Sequence, residues 1–95
     1  MSDYLILMHG GSDDDEAAWG PYLSGLRAAG ALVGGSAIGG GFCANKAGDA
    51  PGITALSGYI RVQATTLDAA RALLAGNPVF EAGGVVEVRE LPTTD

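Results

Sequence analysis

The chain has 95 residues, of which 47% are hydrophobic and 17% are charged, and it contains sixteen glycines. This length fits one domain, residues 1–95, and a domain so small buries only about 60–65% of the surface of its unfolded chain, which favours self-association. The net charge of −6 argues against a nucleic-acid or anionic-membrane partner. The single cysteine, Cys43, excludes an internal disulfide and fits a reducing cytoplasm, and with one histidine it leaves no basis for a protein-only zinc site.

The first predicted element is a buried central strand, the apolar run from Tyr4 to Met8, which is too short to span a membrane. It ends at His9 and two glycines that permit a sharp turn. The residues before it lack the basic start of a signal peptide, so we expect a cytoplasmic protein.

A helix follows, with apolar side chains at three-to-four spacing. Asp13 and Glu16 have the spacing of a capping box in front of it. Pro21 requires either a short turn over 13–19 before a helix that begins at Gly20, or one kinked helix. Gly30 ends the helix in the left-handed conformation. The glycines after Ala31 to Val33 then predict a weak, bulged strand.

The glycine-rich stretch from 39 to 56 predicts a long mobile loop. Beyond it, residues 57–64 alternate as a strand does, Thr66 caps a helix that ends at Gly76, and residues 77–84 form a turn with one further helical turn. A last alternating strand covers residues 85–91.

The order strand, helix, strand, strand, helix, strand is that of a ferredoxin-like α+β fold, a four-stranded antiparallel sheet with two helices on one face. The other face would carry a mixture of polar, charged and aromatic residues: Tyr59, Arg61, Gln63, Glu87 and Arg89. A second copy stacked on this face would bury it, provided that the arginines find acidic partners. We therefore predict a homodimer formed through the sheet face.

Few residues are candidates for chemistry. His9, the sole imidazole, is either a general acid or base or a loop histidine without a role. Asp49 is either a turn residue or a carboxylate that faces a pocket. Tyr22 fits the helix core better than a ligand contact, and Cys43 has no activating partner. The glycines form no phosphate-binding motif and the acids no calcium loop, so we expect neither a cofactor nor a metal.

Several segments resemble the YCII-related family, including its DGPF-type branch. The resemblance covers nearly the whole chain outside residues 36–55 and is carried by these segments in order: the N-terminal strand, Leu26 to Gly35, Leu56 to Ile60, Leu67 to Arg71, Gly76 to Val79, and Glu81 to Arg89. It implies a dimeric α+β barrel of ferredoxin-like subunits. Some members have a His–Asp pair proposed as an acid–base site, and one branch resembles dehydrochlorinating or isomerising enzymes of aromatic degradation. Here Tyr22 falls at the family's helical histidine, and the DGPF signature is reduced to Gly48-Asp49-Ala50-Pro51.

Two functions agree with these observations. The first is a dimeric protein that binds a small aromatic or carboxylated molecule in a pocket beside the sheet. The second is a lyase or isomerase in which His9 or Asp49 moves a proton. In either case we predict that the ligand contacts come from Arg61, Tyr59, Arg89 and Tyr22.

Overall fold

Six strands and three helices are present in residues 1–50, 52 and 55–93, the part of the chain that this computed structural model describes. In chain order they are β1 (Ser2–His9), α1 (Trp19–Ala28), β2 (Leu32–Ala37), β3 (Cys43–Asn45), β4 (Gly48–Ala50), β5 (Leu56–Ala64), α2 (Leu67–Ala72), α3 (Pro78–Glu81) and β6 (Val86–Leu91). A turn of 3-10 helix, Glu16–Ala18, leads directly into α1. No helix in these residues is long and apolar enough to cross a membrane.

Four of the strands form one antiparallel sheet in the order β2-β5-β1-β6. β1 pairs with β5 on one side and with β6 on the other, which confirms that it is a central strand. Together with the helices between β1 and β2 and between β5 and β6, this order is consistent with a ferredoxin-like fold. β3 and β4 form a separate two-stranded hairpin.

The hydrophobic core lies between the helices and one face of the sheet. Alternation places Ile6 of β1 and Val62 of β5 on that face, both with no exposed surface. Tyr22 and Leu26 of α1 pack against them, and the remaining buried core residues are Tyr4, Met8, Ile60, Ala64, Ala70, Leu74 and Val79. Full burial of each large aliphatic side chain contributes about 1.5–3 kcal/mol, so this layer dominates the stability of the fold.

The opposite face of the sheet is not covered by any described element, and we call it the open face. The register puts Leu5 between Arg61 of β5 and Arg89 of β6, and Leu7 between Tyr59 and Glu87. The predicted division of β5 and β6 into an apolar and a polar side is therefore confirmed. Since Leu5 and Leu7 are only half-buried, β1 is not buried on both sides as its apolar run predicted.

The start of α1 differs from the prediction. Asp15, not Asp13, caps the 3-10 turn, because its side chain accepts a hydrogen bond from the Ala17 amide. The helix itself begins at Trp19, and Pro21 is its third residue. Proline is tolerated there because the first turn of a helix has no acceptor for its amide hydrogens. Gly30 ends the helix with φ +72°, as predicted.

The segment from 39 to 56 contains a hairpin where an unstructured loop was predicted. β3 and β4 pair antiparallel, and the Asn45 side chain accepts a hydrogen bond from the Ala47 amide across the turn. An asparagine that binds the backbone two residues later stabilises such tight turns. Pro51, Ile53 and Thr54 of the same segment lie outside the described residues, and the predicted mobility stays a prediction. One short helix, α3, adds to the two predicted ones and corresponds to the expected helical turn in residues 77–84.

Candidate functional site

A cleft of about 730 Å³ lies between α1 and the half of the sheet formed by β2 and β5. Its wall on the helix side consists of Trp19, Leu23 and Arg27, which are spaced four residues apart and therefore share one helix face. The acidic side chains of Asp14 and Glu16 line the cleft in front of α1. This volume lies within the range of pockets that hold small organic molecules.

Trp19 is fixed in this wall by two contacts. Its indole Nε1 donates a hydrogen bond to Oδ2 of Asp14 at 3.0 Å, and the Ser12 hydroxyl donates to the other oxygen of the same carboxylate at 3.3 Å. The Tyr22 ring meets the indole edge to face, with 6.0 Å between ring centroids and 71° between planes. The aromatic surface of the cleft is therefore preorganised, which lowers the entropic cost of ligand binding.

The floor of the cleft on the sheet side includes glycines of β2 and β5 among its lining residues. A Cβ at Gly35 of β2 would lie 2.7 Å from the carbonyl oxygen of Tyr59, and a Cβ at Gly58 of β5 would lie 3.2 Å from that of Ser36. Gly35 therefore needs to be glycine because β2 and β5 approach closely here, and a side chain at Gly58 would be tightly packed. A ligand in the cleft would meet peptide groups from below and side chains from α1.

Arg27 supplies a cation in the cleft. It is exposed, lies in the last turn of α1 and makes no ion pair with any residue of the described part of the chain. A free guanidinium presents several N–H donors that match a carboxylate or phenolate. Arg27 is not among the residues predicted from the sequence to contact a ligand, although its four-residue spacing from Leu23 and Trp19 indicates a position on this wall.

A second group of polar side chains lies on the open face, where β1 ends beside β6. His9 Nε2 lies 2.8 Å from Oε1 of Glu87, and Nε of Arg89 donates to Oε2 of the same carboxylate at 2.8 Å. The His9 side chain is 20% exposed and that of Glu87 is 34% exposed. Hydrogen bonds from His9, which has the larger effect, and from Arg89 hold the pKa of Glu87 below its usual value. We call these three residues the histidine cluster.

Asp49 does not belong to this cluster. It lies in β4, opposite Ala44 of the hairpin, and is exposed. The carboxylate in contact with His9 is that of Glu87. The strand alternation had placed Glu87 on the open face, but only the pairing of β6 with β1 brings it to His9.

The four residues predicted to contact a ligand lie in different places. Tyr59 lies on the open face by its register and also contributes to the lining of the cleft, and Arg89 belongs to the histidine cluster. Arg61 donates from Nε and Nη2 to Oδ2 of Asp3 at 2.8 and 2.6 Å on the open face, and this bond lowers the pKa of the Asp3 carboxyl. Tyr22 is buried in the core, where its hydroxyl donates to the Leu73 carbonyl at 2.8 Å and where burial raises its pKa.

The described residues contain no group of three or more His, Cys, Asp or Glu side chains arranged to hold a metal ion. Cys43 is half-buried at the start of the hairpin strand β3.

Comparisons with known proteins identify a structural neighbour. No protein-family model matches the chain, and neither does any curated protein. Among solved structures, the chain is similar to 5-chloro-2-hydroxyhydroquinone dehydrochlorinase (TftG) from Burkholderia phenoliruptrix in complex with 2,5-dihydroxybenzoquinone, with 17% sequence identity and a TM-score of 0.60. The match covers 97% of this chain and 95% of the other. At this identity the likeness shows a shared fold.

Proposed function

We propose that this chain is a dimeric YCII-like protein that binds a small aromatic or carboxylated molecule in the cleft between α1 and β2–β5. The observation that carries the proposal is the juxtaposition of a fixed indole, Trp19, and an unpaired cation, Arg27, on one wall of a cleft of suitable size. Aromatic stacking and an ion pair are the interactions that such a ligand requires.

The floor of the cleft adds to this selectivity. Where the exposed Gly35 leaves backbone uncovered, a flat ring can approach the sheet more closely than it could over side chains. The acidic residues Asp14 and Glu16 disfavour a ligand with several negative charges. The expected ligand is thus planar, with one anionic or strongly polar group directed at Arg27.

The structural neighbour gives independent support. The dehydrochlorinase acts on a chlorinated hydroquinone and was solved with a dihydroxybenzoquinone, a planar six-membered ring with polar substituents. The shared fold motivates the same ligand class for this chain.

The test is ligand binding measured by isothermal titration calorimetry with 2,5-dihydroxybenzoquinone and benzoate as probes. Arg27→Ala should weaken binding about 10-fold, the usual loss for one charge-assisted hydrogen-bonded contact. Arg71→Ala is the matched control, because Arg71 is also exposed in the last turn of its helix but lines a different groove. Equal affinity of wild type and Arg27→Ala for a probe that binds would contradict the site.

We also propose that two copies stack through their open faces. The half-buried Leu5 and Leu7 form an apolar strip along the centre of this face, between pairs of charged residues that are already neutralised within the chain: Asp3 with Arg61, and Glu87 with Arg89. Stacking would therefore bury apolar surface without burying an unpaired charge. Leu7→Asp should abolish the association through the open faces and so lower the assembly mass in analytical ultracentrifugation, whereas Val33→Asp, at an exposed apolar residue of β2, should not. A stable wild-type monomer at micromolar concentration would contradict the dimer.

A lyase or isomerase is the second candidate function, and the contact between His9 and Glu87 favours it. A carboxylate that accepts a hydrogen bond from Nε2–H fixes the tautomer of the imidazole and leaves Nδ1 as a base. Met8, the neighbour of His9 in β1, lines the cleft, whereas His9 lies on the open face, so this second function would use a site separate from the cleft. Chloride release from 5-chloro-2-hydroxyhydroquinone is a direct assay: His9→Gln should abolish it, whereas Asp49→Asn should leave it unchanged. Turnover that persists in His9→Gln would remove His9 from the chemistry.

A further inference from the structure

β6 forms one edge of the four-stranded sheet. It pairs with β1 on one side, and among the described residues no strand lies on its other side. Its register with β1 is regular from Val86 to Leu91, without a bulge. Unpaired strand edges of this kind are templates for a further strand.

The register shows which backbone groups of β6 are free. The His9 amide donates to the Val85 carbonyl, which makes Met8 and Val86 a non-hydrogen-bonded pair. Because the two kinds of pair alternate along an antiparallel ladder, Glu87, Arg89 and Leu91 bond to β1. The amide and carbonyl groups of Val86, Val88 and Glu90 therefore point away from the sheet.

One antiparallel register of β6 with itself matches charge as well as hydrogen bonds. If Val88 faces Val88 of a second copy, Val86 faces Glu90, and three facing pairs with two bonds each give about six hydrogen bonds. In the same register Glu87 of each copy faces Arg89 of the other. Opposite charges in directly facing positions stabilise a strand pair, and here they occur twice by symmetry.

A groove of about 410 Å³, lined by apolar residues together with Asp68 and Arg71, runs beside this edge on the helix side of the sheet. Leu67 of α2, Phe80 of α3 and Val85 line it and are each about half exposed or more, at 55%, 46% and 60%. A two-fold axis perpendicular to the sheet would place the grooves of both copies on the same side of the joined sheet. Each copy would then cover apolar side chains in the groove of the other. Exposed apolar patches of this kind often mark sites of protein association.

The other edge strand, β2, lacks these properties. A bulge interrupts its register between Leu32 and Gly34, and Gly34 and Gly35 follow. Bulges and glycines are features by which sheet edges avoid further pairing. The two edges of the sheet are thus unequal, and only β6 is regular.

We propose that β6 pairs antiparallel with β6 of a second copy of this chain, in the register that centres on Val88, to form a continuous eight-stranded sheet. This interface is separate from the open face, so both can form at once and together give a tetramer. The stacking of open faces belongs to the proposed function, and the edge interface does not depend on it.

The first test is Glu90→Pro, followed by sedimentation from about 10 to about 500 µM protein. Proline removes the outward amide of residue 90 and no hydrogen bond to β1, so the fold should persist while the edge interface is lost. The expected result is a halving of the assembly mass, with an unchanged far-UV circular dichroism spectrum. Leu7→Asp should instead remove the face interface, and the two variants together should give a monomer.

A charge swap provides the second test and does not alter the backbone. Arg89→Glu places a carboxylate opposite Glu87 of the other copy, and this repulsion should raise the dissociation constant of the edge interface about 10-fold. The double variant Glu87→Arg with Arg89→Glu restores opposite charges in the same register and should bring the constant back to within about threefold of wild type. An assembly mass that responds to neither Glu90→Pro nor the charge swap would overturn the proposal. If only Leu7→Asp changed the assembly mass, the edge interface would be overturned and the proposed dimer through the open faces would still stand.

Discussion

The two faces of the sheet are built from alternate residues of the same strands, yet they are stabilised by different interactions. On the helix side, Ile6 and Val62 lie in a layer of apolar side chains with no exposed surface. On the open face, the charged residues form pairs within the chain, at distances of 2.6 to 2.8 Å, around a half-buried apolar strip. The comparison shows that a small sheet can leave one face accessible without leaving its charges uncompensated.

The largest expected effect is a difference in unfolding free energy between alanine substitutions at two neighbouring residues of β1. Ile6→Ala removes a fully buried side chain and should lower the free energy of unfolding by about 2–5 kcal/mol in urea denaturation. Leu5→Ala, on the open face, should cost about 1 kcal/mol at low protein concentration, because its surroundings are half exposed. If the cost of Leu5→Ala approached that of Ile6→Ala at high concentration, the open face would be covered in solution. Equal costs in a monomer would contradict the difference between the faces.

A smaller effect is expected for two tyrosine hydroxyls. Tyr22→Phe removes the hydrogen bond to the Leu73 carbonyl in the core and should cost about 1–2 kcal/mol of unfolding free energy. Tyr59→Phe is the matched variant on the open face, where the hydroxyl makes no hydrogen bond to a described residue, and it should change stability by less than about 0.5 kcal/mol. Thermal and urea unfolding of both variants measure the difference, and a cost for Tyr59→Phe as large as that for Tyr22→Phe would contradict it.

The smallest effect concerns pH. Asp3 and Glu87 both have a pKa below the ordinary carboxyl value in the folded chain, because Arg61 and the His9–Arg89 pair bind their charged forms. A lowered pKa stabilises the fold above the unfolded-state pKa, and this contribution is lost as the pH falls toward the folded-state value. The urea concentration at the unfolding midpoint should therefore decrease as the pH is lowered through the acid range. Asp3→Asn or Glu87→Gln should make this decrease with pH less steep.

Salt provides the control for the pH prediction. Both carboxylates are near the surface, so about 1 M salt should weaken the interactions and flatten the wild-type pH slope as well. A slope that neither the two variants nor salt changes would show that other groups determine the acid sensitivity.

Much of the fold could be predicted because it depends on local patterns. The alternation of residues 57–64 and 85–91 placed Arg61 and Glu87 on the open face, and Thr66 and Gly30 were identified as helix ends from their residue types. The hairpin β3–β4 was missed because its three-residue strands contain alanine, glycine and asparagine, which have low strand propensity. Asp13 and Asp15 could not be separated as caps, since every residue of the run Asp13 to Glu16 is acidic.

The candidate site was harder to predict because it joins distant parts of the chain. The contact of His9 with Glu87 spans 78 residues, and only the pairing of β6 with β1 creates it. The cleft depends on the distance between α1 and the sheet, which no periodicity encodes. Arg27 could have been found from its spacing relative to Trp19, whereas its lack of an ionic partner could not.

The floor and the α1 wall of the cleft differ in how well they tolerate substitution, and this difference determines where mutations can change the shape and charge of the cleft. The floor at Gly35 tolerates little substitution, because even a methyl group would lie 2.7 Å from a backbone oxygen of the neighbouring strand, and at Gly58 a methyl group would be tightly packed at 3.2 Å. The wall at Leu23 and Arg27 consists of partly or fully exposed side chains on a helix, which can change without disturbing the sheet. New specificities should therefore arise from mutations in α1, and a library randomised at residues 23 and 27 should yield altered binders at far higher frequency than one randomised at 35 and 58.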